Sequence, residues 1–169
     1  MADRQRVILG VHESLSGLRA LRRAVAEART RAAELHAVRA WMPTAGGYYA
    51  PALRVWESEL DSAAKEEIRH TFETAMGGLP RDVFLHFVTV QALPGPALVE
   101  YACRDDDLLI VGVGRPGRLA RLAGRGGIAR YCLSRSACPV LAVPPDQFAT
   151  QASRASARDL ARQLEHQLF

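Results

Sequence analysis

The residues best suited to chemistry lie between Gly112 and Ile128. Gly112, Gly114, Gly117, Gly126 and Gly127 punctuate a loop that also carries Arg115, Arg118, Arg121 and Arg125. Glycine lets backbone N–H groups approach an anion closely, and guanidinium groups bind phosphate in forked pairs. The loop follows an apolar run, Leu108 to Val113, and precedes Ile128, Cys132 and Leu133 at helical spacing. A second apolar run, Cys138 to Val143, comes next and is closed by Pro144-Pro145. Strand, glycine loop, helix, strand is the order in which a helix N-terminus can receive phosphate. The alternative is a surface loop whose arginines are only solvated. The loop lacks Gly-Lys-Ser/Thr, so it is not a Walker A loop.

A second candidate is His12, in Val11-His12-Glu13-Ser14 after the first apolar run. An imidazole can stack on a purine or hydrogen-bond to it. The competing reading is a loop histidine without a ligand. Other groupings are weaker. His12, His36, His70, His86 and His166 are dispersed with no HxxxH pair, so the sequence supports no metal site. Asp105, Asp106 and Asp107 read as a solvated turn. Ser14, Ser16, Ser134 and Ser136 have no nucleophile-elbow context, and no catalytic residue emerges. Cys103, Cys132 and Cys138 are odd in number and lack a CxxC pattern, so they read as buried free thiols, with Cys138 structural rather than reactive.

The elements that must hold these residues alternate. Arg6 to Val11 reads as a strand. Ser14 or Ser16 can cap the following helix, whose Leu18, Leu21, Val25, Ala28 and Ala32 form one apolar face. Leu35 to Trp41 reads as a second strand and Met42 to Pro51 as a loop. Leu53, Trp56, Leu60, Ala64, Ile68 and Phe72 stripe a long helix that Gly77-Gly78 and Pro80 end. Val83 to Val90 is a third strand, and Pro94-Gly95-Pro96 opens a short third helix. This alternation predicts an α/β fold, an open parallel sheet of five strands with helices on both faces. Ligands then belong at the carboxyl ends of the strands, here after the first and fourth.

Together, the glycine loop and the closing Cys138-Pro139-Val140-Leu141-Ala142-Val143 resemble the universal stress protein family over roughly residues 6–145. The resemblance implies a Rossmann-like domain over residues 1–145. It also implies adenine-nucleotide binding, ATP with Mg²⁺, between the first and fourth strand ends. The family's loop motif is Gly, two residues, Gly, nine residues, Gly-Ser/Thr. Gly114, Gly117 and Gly127 have that spacing, with Ile128 in the hydroxyl position. Counted back from Cys138-Pro139, Gly126-Gly127 fall on the Gly-Ser/Thr pair instead. Neither register supplies a hydroxyl. His12 stands where nucleotide-binding members have Asp, and Ala40 matches a small apolar contact near the end of the second strand. The implied nucleotide set is Val11, His12, Ala40, Gly112, Gly114, Arg115, Gly117, Gly126, Gly127 and Ile128. The implied role is a stress-response regulator rather than an enzyme, with ATP hydrolysis slow at most. The alternative within the family is a dimeric protein-interaction module that binds no nucleotide.

The chain has 169 residues, 49% hydrophobic and 24% charged, which suits one globular domain with a proper core. No apolar run approaches the roughly 20 residues that span a bilayer, and 1–10 does not read as a signal peptide, so the cytoplasm is the expected compartment. The net charge is +4, and Lys65 is the only lysine. Arginine over lysine with abundant alanine suggests the coding bias of a GC-rich bacterial genome. With no base-and-aromatic interleaving, nucleic acid is not an expected partner. The resemblance implies a homodimer through the last strand, Cys138 to Val143, an apolar edge that a monomer would expose. Residues 146–169 form a tail, where Ser156 and Asp159 suit a capping box and Leu160, Leu164 and Leu168 make a short stripe that needs a partner surface.

Overall fold

A computed structural model describes residues 4–42, 50–114 and 127–146, with the side chains of 50–57 outside that description. The strands are β1 (Arg6–Gly10), β2 (Glu34–Trp41), β3 (Leu85–Gln91), β4 (Leu108–Gly112) and β5 (Val140–Val143). The helices are α1 (Leu15–Arg31), α2 (Ala50–Met76), α3 (Pro94–Tyr101) and α4 (Ile128–Arg135). All strand pairs are parallel, in the order β3-β2-β1-β4-β5. This is the expected five-stranded sheet, with β1 at its centre and β5 at an edge.

The strands read as continuous apolar runs because both faces are covered. Val7, Leu9, Leu35, Ala37, Leu108 and Ile110 point to one face, against Leu21, Val25 and Ala28 of α1 and Ile68 and Phe72 of α2. The alternate residues Ile8, Val38, Leu109 and Val111 point to the other, against Leu98 of α3 and Ala129 and Cys132 of α4. Successive side chains of a strand alternate in direction, so one register fills two cores.

Several boundaries differ from those the sequence suggests. Ala32 does not continue the apolar face of α1. It is the left-handed cap, at φ 50°, with its N–H bonded to the Ala28 and Arg29 carbonyls. The helix turns there because the Ala33 N–H also returns to Ala28, which satisfies last-turn carbonyls without a glycine. α2 begins at Ala50, inside the expected loop, with Pro51 in its first turn, where the missing N–H costs nothing. β3 begins at Leu85 rather than Val83, and β5 at Val140 rather than Cys138. Pro139 has no N–H for a ladder, although its carbonyl accepts from the Leu109 N–H at 3.0 Å.

Asp107 is not in a solvated turn. It is 1% exposed and accepts from Arg6 Nε at 2.8 Å and Nη2 at 2.6 Å, joining β4 to β1 in a forked pair. The Arg104 N–H supplies a third donor at 3.0 Å. Asp105 and Asp106 are exposed as expected. Cys132 and Cys138 are buried free thiols, but Cys103 is exposed.

Candidate functional site

The carboxyl ends of β1 and β4 meet the start of α1 at very close range. Ser14 caps α1, its Oγ accepting the Gly17 N–H at 3.1 Å. Gly17 must be glycine, because a Cβ there would stand 1.9 Å from the His12 carbonyl oxygen. Gly112, at the end of β4, faces the same turn; its Cβ would lie 2.8 Å from the Gly17 nitrogen and 2.9 Å from the Ser16 oxygen. Two glycines in contact therefore set the start of α1 against the end of β4. Val11 is buried, its N–H bonded to the Val38 carbonyl at 2.9 Å. Its own carbonyl accepts from Arg39 Nη1 at 3.2 Å, while Arg39 Nη2 pairs with Glu67 on α2 at 2.6 Å. Sequence reading missed Arg39. Its only signal was a cation ending the apolar face Leu35, Ala37.

His12 is exposed, and its Nδ1 accepts the Ser14 N–H at 3.1 Å. This is the bond an Asp side chain makes to the backbone two residues on. In a neutral ring the proton then sits on Nε2, so His12 offers solvent a donor, where Asp would offer an acceptor. Ala40 is half-buried near the end of β2, opposite Val90 of β3. It is one strand removed from the β1 and β4 ends.

Gly114 is exposed, and a Cβ there would meet nothing within 4 Å among the described residues. Gly127 caps α4 with no side-chain bond, and a Cβ there would also meet only open space. Ile128, 39% exposed, is the first residue of α4. It presents an apolar group beside N–H groups that a phosphate could use. Arg115, Gly117 and Gly126, with Arg118, Arg121 and Arg125, lie outside the described residues.

Residues 3–144 match the profile of the Universal stress protein family. The chain belongs to that family. A solved structure described as a universal stress protein in complex with cAMP is 30% identical, with a TM-score of 0.58. Their alignment covers 86% of this chain and 100% of that one. The universal stress protein UspA from Lactobacillus plantarum is 23% identical at TM-score 0.60, over 85% of this chain and 99% of its own, and shares the fold. A comparison with curated proteins finds no match. In this universal stress protein the contact of Gly17 with Gly112 sets the start of α1 against the end of β4.

The structure also assembles a polar group that sequence reading dismissed. Glu34, His36 and His86 come together at the amino end of β2 and β3, one ligand atom of each lying within 4.8 Å of the others. His36 stands opposite His86 in the parallel register, and their ring centroids are 4.6 Å apart. His36 Nδ1 bonds the Tyr101 hydroxyl at 2.7 Å. Burial, then His86 and Arg6, push the His36 pKa below the usual histidine value. No helix among the described residues is long and apolar enough to cross a membrane.

Proposed function

We propose that this universal stress protein is a stress-response regulator that binds an adenine nucleotide where β1 and β4 end. The observation carrying this reading is the backbone cradle. Gly112 abuts Gly17 and Ser16, and among the described residues nothing stands where a side chain at Gly114 or Gly127 would be and no side chain caps α4. The 30%-identical relative, covered over its whole length, is described in complex with cAMP, which supports the same ligand class here. ATP with Mg²⁺, cAMP and AMP are the ligands to compare. His12 Nε2–H is the donor on the β1 side, suited to an oxygen acceptor on ribose or phosphate rather than to the adenine amino group. The function is binding rather than turnover, with hydrolysis slow at most. Arg115, Gly117 and Gly126 complete the phosphate side. The active form is a cytoplasmic homodimer joined through β5.

Ile128 favours a second reading, a dimeric interaction module that binds no nucleotide, because it puts an exposed apolar group where a hydroxyl would hold phosphate. Calorimetric titration with ATP, cAMP and AMP, with and without Mg²⁺, separates the two. Micromolar binding that is lost in Gly117→Arg supports the nucleotide reading. No heat at millimolar nucleotide overturns it and leaves the interaction module.

A further inference from the structure

We propose that Glu34, His36 and His86 form a binding site for a divalent transition-metal ion, zinc in the first instance, at the amino end of β2 and β3. That end of the sheet is opposite the nucleotide cradle, and the inference does not rest on the nucleotide reading.

The parallel register aligns the ligands. His36 on β2 and His86 on β3 are paired neighbours, and Glu34 precedes His36 by two residues, so strand alternation turns both β2 side chains to the α3 face. Glu34 Oε2 lies 3.6 Å from His36 Nε2 and 3.3 Å from His86 Nε2. Two donors about 2.1 Å from a four-coordinate zinc stand about 3.4 Å apart, so both separations suit one shared ion. Two imidazoles and a carboxylate are a known zinc set that leaves a fourth position open. His86 is half-exposed, which gives the ion a route in.

His36 shows what the group lacks without an ion. It is 9% exposed, and its Nε2 is buried with no hydrogen-bond partner among the described residues. At 3.6 Å the Glu34 carboxylate is too far for a hydrogen bond. A buried polar nitrogen without a partner is unfavourable, and coordination would remove that penalty. The other ring nitrogen orients the ring for ligation, since Nδ1–H can donate to the Tyr101 hydroxyl and so turn the Nε2 lone pair toward Glu34. The nearby cation is neutralised separately. Arg6 lies 5.5 Å from the Tyr101 ring, and Asp107 holds it in a forked pair. Arg4 stands 4.0 Å from Glu34 Oε1, leaving Oε2 to the histidines.

The test is titration of the metal-free full chain with Zn²⁺ alone, by calorimetry, alongside Co²⁺ absorption. We expect one ion per chain and the intense visible bands of four-coordinate Co²⁺. His86→Ala removes a half-exposed ring without emptying the core and should abolish both signals, as should Glu34→Gln. Tyr101→Phe keeps the aromatic packing and should weaken Zn²⁺ binding by about 10–100-fold. Circular dichroism of each variant, unchanged from the parent, keeps loss of binding distinct from loss of fold. Absence of Zn²⁺ binding at millimolar concentration, or binding that survives His86→Ala, overturns the proposal and leaves the three groups as a polar cluster only.

Discussion

At the scale of single residues, His12 decides how a nucleotide would be held. Its Nδ1 reproduces the turn bond of an Asp, so the loop keeps its shape while the exposed face changes from acceptor to donor. His12→Asp should therefore leave the fold intact and weaken ATP binding by roughly tenfold, the value of one good hydrogen bond to a charged group, because an acceptor replaces the Nε2–H donor. Calorimetry of parent and variant reads the difference directly, and tighter binding in the variant would show that the ligand presents a donor to this position. The thiols give a second residue-scale expectation. Burial pushes the Cys132 pKa up to about 11, and burial also raises that of Cys138, while Cys103 is exposed. A disulfide reagent should label one thiol rapidly in the native protein and all three only after unfolding. The sign for stability follows. An unfolded thiol ionises near 9 and native Cys132 near 11, so unfolding releases a proton between those values. The Cys132 contribution is complete below pH 9 and is lost as pH rises toward 11, and Cys132→Ser should flatten that part of the stability curve.

At the scale of elements, turns and seams carry the energy. Ala32 is in the left-handed region, where an L-residue with a Cβ costs about 1 kcal/mol and glycine nothing comparable. Ala32→Gly should raise stability by up to about 1 kcal/mol in urea unfolding at unchanged m-value. Arg6→Met should do the reverse. It leaves the buried Asp107 carboxyl without its guanidinium partner, at a cost of about 3–5 kcal/mol, whereas removing both groups should cost far less. These elements also show what the sequence could and could not reveal. The five strands were legible because both their faces are apolar, and α1 because its apolar repeat runs from Leu18 to Ala28. The cap at Ala32 was not, since alanine is the residue least expected to end a helix. Asp107 read as solvated because its burial depends on Arg6, 101 residues away. The Glu34, His36 and His86 group was invisible for the same reason: local spacing says nothing of two strands paired across α2. At the candidate nucleotide site, the glycines and His12 were legible as a motif, but the contact of Gly112 with Gly17 was not.

At the scale of the whole molecule, the proposed homodimer depends on the edge of the sheet. β5 lies at a sheet edge. The carbonyls of Pro139 and Val143 face β4, taking the Leu109 and Val113 N–H groups. Ladder bonds alternate along a parallel strand, so the backbone groups of Val140 and Ala142 face outward. Such an edge templates another strand. Ala142→Pro deletes an outward N–H and no bond to β4, so it should convert dimer to monomer in light scattering without a large loss in melting temperature. A dimer that persists in this variant would move the interface elsewhere.

The position of β1 also constrains how the chain is made. Arg6, the first residue of the central strand, meets Asp107, which immediately precedes β4, and Ile8 lies opposite Leu109. A nascent chain can pair β1 with β2 early, but the second edge of β1 stays bare until β4 has left the ribosome. For most of synthesis, Val7 to Leu9 thus form an unprotected edge, the kind of surface that favours aggregation until that last central seam closes.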